Sequence, residues 1–150
     1  MLSKLKALFG NPDAEIVLTE EDEREALAAL LVEAAHADGE YQNSEKARIA
    51  RVLGRRFGLS PGEAVSLRET GEAAHASATD IVRFTQALNK IVAHEDRIAL
   101  IEAIWEVAYA DGARDDAENA LVRKLCGLFY IADRDAGLAR QRVAKRLGFE

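Results

Sequence analysis

Asp38 and Glu45, in Ala37-Asp38-Gly39-Glu40-Tyr41-Gln42-Asn43-Ser44-Glu45, recur 73 residues later as Asp111 and Glu118, in Ala110-Asp111-Gly112-Ala113-Arg114-Asp115-Asp116-Ala117-Glu118. Both segments read A-D-G-x5-E. Calcium, magnesium and manganese take carboxylate and carbonyl oxygens from short loops. Asp38, Glu45, Asp111 and Glu118 are therefore the candidate metal ligands, and a divalent cation is the candidate cofactor. The string matches the second half of an EF-hand loop. Its first two ligand positions are missing, being Ala34 and His36 in one copy and Val107 and Tyr109 in the other. An EF-hand proper is not expected.

The same residues also make sense as turn chemistry. Gly39 and Gly112 can take the left-handed conformation that ends a helix. Asn43 and Asp116 can cap the next helix, and Glu45 and Glu118 fall in its first turn, where the helix dipole favours a carboxylate by about 0.3–1 kcal/mol. Asp38 and Asp111 could accept from loop amides. An aspartate at the C-terminal end of a helix nevertheless meets the negative end of the dipole, and this chain places one there twice. Loop amides or a cation must compensate, and both readings stay open.

The elements that position these loops repeat with them. At the same offset the chain shares Glu33/Glu106, Ala35/Ala108, Ala47/Ala120 and Gly54/Gly127, with apolar character at Leu31/Ile104, Ile49/Val122, Val52/Leu125 and Phe57/Tyr130. Thr19 is a capping candidate for the first helix, and Ser60 and Asp133 are N-cap types at matching boundaries. The unit reads helix, D-G loop, helix, short turn, helix, over about residues 20–72 and 94–147. A helix with Ile81, Phe84, Leu88 and Ile91 connects the two. Two copies are too few for a solenoid. The expected fold is all-α, a compact bundle of two pseudo-symmetric helix–loop–helix repeats. Residues 20–150 form that domain, preceded by a short amphipathic helix and linker at 1–19.

Composition agrees. The chain has 150 residues, 49% of them hydrophobic, with only two prolines, which suits one helical domain with a sizeable core. No run approaches the ~18 apolar residues of a membrane helix. Residues 1–9 lack the apolar core of a signal peptide, and one cysteine, Cys126, excludes an internal disulfide framework, so a cytoplasmic setting is expected. Cys126 and Trp105 sit at core spacings. His36, His75 and His94 show no zinc-ligand spacing, and neither a phosphate loop nor a nucleophile elbow occurs, so an enzyme is not expected.

Net charge is −6, distributed in swings. Residues 11–45 hold acids against Arg24 alone, whereas residues 46–58 hold Lys46, Arg48, Arg51, Arg55 and Arg56 and no acid. If the repeats pack with their loops at one end, the molecule has an acidic pole, which attracts cations and basic protein surfaces and repels nucleic acid. A protein partner with a basic surface is expected, and no nucleic acid. Residues 1–9, with Leu2, Leu5, Leu8 and Phe9 against Lys4 and Lys6, could touch a membrane surface weakly, while docking on their own domain is the alternative.

Glu33-Ala34-Ala35-His36-Ala37-Asp38-Gly39 with Glu45, and Trp105-Glu106-Val107-Ala108-Tyr109-Ala110-Asp111-Gly112 with Glu118, resemble the TerB-like family, named for tellurite resistance. The resemblance covers about residues 20–147. It implies a helical bundle of two related halves in a cytosolic bacterial protein, with Asp38, Glu45, Asp111 and Glu118 as the family's acidic, metal-binding positions. The expected function is non-enzymatic binding of divalent metal in a tellurite- or metal-stress role. The alternative is a metal-free, co-chaperone-like adaptor using its acidic pole.

Overall fold

The computed structural model describes residues 18–37, 39–77, 81–108 and 116–148, with side chains in the last stretch from residue 119 onward. The elements are α1 (Glu20–His36), α2 (Asn43–Phe57), α3 (Pro61–Ser77), α4 (Ile81–Ile91), a 3-10 turn (His94–Asp96), α5 (Arg97–Ala108), α6 (Asp116–Leu128) and α7 (Asp133–Arg146). The described residues contain no strand, so the fold is all-α as the periodicity predicts. Three helices, α1-α2-α3, precede α4 and three, α5-α6-α7, follow it. Residues 1–9, expected as an amphipathic helix, lie outside the described residues.

The two helices that precede the acidic loops are the buried centre. Ala26-Leu27-Ala28-Ala29-Leu30-Leu31-Val32 is apolar without a break, and every one of these residues is buried. A helix hydrophobic on all sides must be covered on all sides. α1 accordingly packs on α3, α4, α5 and α2, and α5 on α7, α1, α2 and α6. The outer helices are amphipathic: α2 turns Ile49, Val52 and Leu53 inward, and α4 turns Ile81, Phe84 and Leu88. α1 starts at a capping box, in which the Thr19 amide donates to Asp22 Oδ2 (2.7 Å) and the Asp22 amide to Thr19 Oγ1 (3.4 Å).

The tightest packing is between α1 and α3. A Cβ added at Gly71 would stand 2.6 Å from Ala28 Cβ and 2.7 Å from its carbonyl carbon, so only glycine permits this approach. Alanine would gain about 1 kcal/mol of helix propensity but force two backbones apart, an overpacking cost of about 1–3 kcal/mol. Gly71→Ala is therefore expected to lower the urea midpoint. A midpoint at or above wild type would show that the two helices separate freely.

The sequence offset of 73 does not carry through to the second turn. α2 ends with Gly58 at φ 65°, where the Leu59 amide donates to the Gly54 carbonyl. The matching ending of α6 has Tyr130 at φ 59°, with the Ile131 amide donating to the Cys126 carbonyl. Gly58 thus corresponds to Tyr130, 72 residues on, although tyrosine meets a cost of about 1–2 kcal/mol in that conformation. The next caps follow the same change of offset. Ser60 caps α3, exchanging bonds with Glu63 (2.9 and 3.2 Å). The cap of α7 is Ala132, and Asp133, expected to cap it, is instead the first helical residue. Asn43 is likewise corrected: Gln42 precedes α2 as its cap.

Charge pairing explains why the two central helices carry acids. On α1, Glu23 meets Arg56 (3.4 Å) and Glu33 meets His75. On α5, Glu102 meets Arg142 (3.1 Å) and Arg146 (3.4 Å), and Glu106 meets Arg55 (2.7 Å) and Arg146 (2.8 Å). Glu23, Glu33, Glu102 and Glu106 thus meet bases on other helices.

Candidate functional site at the first acidic loop

α1 stops at His36, and the Gly39 amide donates back to the His36 carbonyl (2.9 Å) with Gly39 at φ 86°. Glycine is needed there because the chain turns through the left-handed region. It re-enters a helix at Asn43, and Glu45, 6% exposed, lies in the first turn. Its Oε1 accepts from the Gln42 amide at 2.9 Å, so the carboxylate is fixed at the foot of the loop. Of the four candidate ligands, Glu45 is the one whose side chain is described. Asp38 and Asp111 lie outside the described residues. Glu118 lies on α6, with its side chain outside them as well. Among the described residues, no three His, Cys, Asp or Glu side chains converge on a point that could hold a metal.

Around the loop a polar cluster ties α1, α2 and α3 together. The His36 ring lies 4.5 Å from that of Tyr41 and stacks on His75 at 5.0 Å. His75 Nε2 bonds Glu33 Oε2, and the Tyr41 hydroxyl donates to Glu72 Oε2. Arg68 approaches Glu72 at 3.4 Å, and the Lys46 ammonium lies 5.0 Å from the Tyr41 ring centre. Burial, then the bond to Glu72, push the Tyr41 phenol well above its ordinary value of 10.0, so it remains a protonated donor. The sequence did not reveal this cluster. Glu33 and His75 are 42 positions apart on different helices, and the repeated Glu33/Glu106 pair marked only one side of each contact.

Elsewhere among the described residues, burial shifts Cys126 and Glu25. Burial first, then Asp133, push the Cys126 thiol up to about 11, consistent with an inert core residue. Glu25 is 1% exposed, and among the described residues neither carboxylate oxygen has a hydrogen-bond partner. Burial raises its carboxyl above 4.5. The folded protein then holds a proton that the unfolded chain has released, so this group favours folding below the unfolded value and opposes it above the raised folded value. Glu25→Leu is expected to raise stability at pH 7 and to lose that advantage as pH falls through this window. Denaturant melts of both proteins at pH 4 and pH 7 check this. A gain independent of pH would show that packing alone is responsible.

The family model described as Tellurite resistance protein TerB matches residues 24–141. Neither the curated proteins nor the solved structures gave a match to this chain. Among the described residues no helix is long and apolar enough to cross a membrane.

Proposed function

The chain belongs to the TerB tellurite-resistance family, and from that premise we propose that it is a non-enzymatic, cytoplasmic protein that binds a divalent cation at its paired acidic loops in a metal-stress role. Asp38 with Glu45, and Asp111 with Glu118, would hold calcium, magnesium or manganese. The supporting observation is Glu45: a nearly buried carboxylate, oriented by a backbone amide, at the foot of a loop that glycine turns sharply. The donor chemistry fits, since four carboxylates offer only hard oxygen. A bound cation would neutralise these carboxylates and stiffen each loop between its two helices.

The capping role of Glu45 also favours a second reading, a metal-free adaptor whose loops are built only to turn. Calorimetric titration of the full chain with calcium, magnesium and manganese separates the two. Saturable heat supports the cation site. Its absence with all three ions leaves the adaptor, acting through surface charge on a basic protein partner.

A further inference from the structure

We propose that the groove between α2 and α3 is a docking site for an acidic amphipathic helix of a partner protein. The groove encloses about 870 Å³. Its apolar lining includes Ala47, Ala50, Leu59 and Val65, and Val65 is left 38% exposed. Its charged lining is Lys46, Arg51, Arg55 and Arg68, with no aspartate or glutamate. On a protein of net charge −6 this concentration of cations around an apolar floor is a local inversion of sign.

Three of the cations are held in position from behind: Lys46 by the Tyr41 ring, Arg55 by Glu106 and Arg68 by Glu72. Arg51 is exposed and pairs with no acid among the described residues. A rim fixed in this way loses little side-chain freedom when an anionic ligand arrives.

A second, more loosely packed cleft invites comparison. The cleft between α6 and α7, about 520 Å³, is lined by Arg123, Cys126, Ala136 and Arg140, each 72 residues beyond Arg51, Gly54, Ala64 and Arg68 of the first groove. There Asp133 replaces Pro61 and interrupts the basic rim. Of the two, the first groove combines an apolar floor with a border free of aspartate and glutamate.

Those features select the occupant. A helix laid between two helices presents apolar side chains at i, i+3, i+4 and i+7 to the floor, and its flanking glutamates reach the rim. The concave floor does not suit a flat bilayer. No aromatic platform lines the groove for nucleic-acid bases. The attraction is salt-sensitive because Arg51 and Arg55 on the rim are exposed.

The full chain, labelled with nitrogen-15 and kept in EDTA, is titrated with a blocked helical peptide carrying leucines at spacings of three and four between flanking glutamates. Saturable shifts centred on Ala47, Ala50, Gly54 and Val65 are expected, weakening as salt rises. Affinity should drop at least tenfold for Arg51→Glu and for Val65→Asp, both surface changes whose folding the same spectra verify. A twin peptide with lysine at every glutamate should bind at least tenfold more weakly. No saturable shift by about 1 mM peptide, shifts centred elsewhere, equal binding of the lysine twin, or indifference to both substitutions overturns the proposal. Preferential binding of phosphatidylglycerol vesicles through the same residues overturns it in favour of a membrane surface. EDTA keeps the outcome independent of the cation reading.

Discussion

Replacing Arg55 and Arg146 together by alanine is expected to destabilise the fold by about 3–5 kcal/mol, the cost of leaving a buried charge without its partners. The Glu106 side chain is 2% exposed and accepts from Arg55 at 2.7 Å and Arg146 at 2.8 Å, whereas those arginines are 58% and 46% exposed. The asymmetry decides which deletion hurts. Removing the arginines strands a carboxylate in the core, while removing the carboxylate returns two arginines to water they already touch. Glu106→Leu should therefore cost far less than the double arginine variant. Either arginine variant alone should fall between, since one cation remains on the carboxylate. Urea unfolding of the four variants and the wild type checks the order. A double variant as stable as wild type would mean that the carboxylate is protonated or reached by water.

These contacts also show what the residue pattern could reveal. The unbroken apolar run from Ala26 to Val32 announced a helix buried on all sides, and the Thr19 and Ser60 caps were legible because their partners lie three residues away. Local spacing carries that kind of information. The pairs Glu106–Arg55 and Glu33–His75 were not legible, because helix packing decides which of many exposed bases meets a given acid. The same limit produced the misplaced cap at Asp133. A fixed offset of 73 carries the comparison through the acidic loops, but Tyr130 takes the left-handed turn one residue early, a shift carried in the sequence by Arg51/Arg123, Ala64/Ala136 and Arg68/Arg140, which match at an offset of 72. The basic groove was hidden for a related reason. In the sequence Lys46, Arg51 and Arg55 are only part of a basic run at 46–58, and it is α3 that places Arg68 and Val65 opposite them.

Asp38→Asn and Asp111→Asn, combined, are expected to abolish metal-dependent stabilisation while leaving metal-free stability close to wild type. An ion that binds only the folded state adds RT ln(1 + [L]/Kd), about 2.7 kcal/mol at a hundredfold excess over Kd. For a domain of 150 residues that corresponds to a rise in Tm of about 5–10 °C. Asparagine keeps a side-chain oxygen for loop amides but removes the charge a hard cation requires, so it separates ligation from turn-making. Glu45→Gln is the less clean probe, because Glu45 also caps α2 through the Gln42 amide and its loss would shift the metal-free melt too. If wild type and the double asparagine variant melt together in millimolar calcium, magnesium and manganese, the aspartates serve the turn alone and the cation reading fails. If each single variant retains about half of the heat seen in calorimetry, the two loops bind independently. Complete loss from either one would instead mean that both loops contribute to a single site.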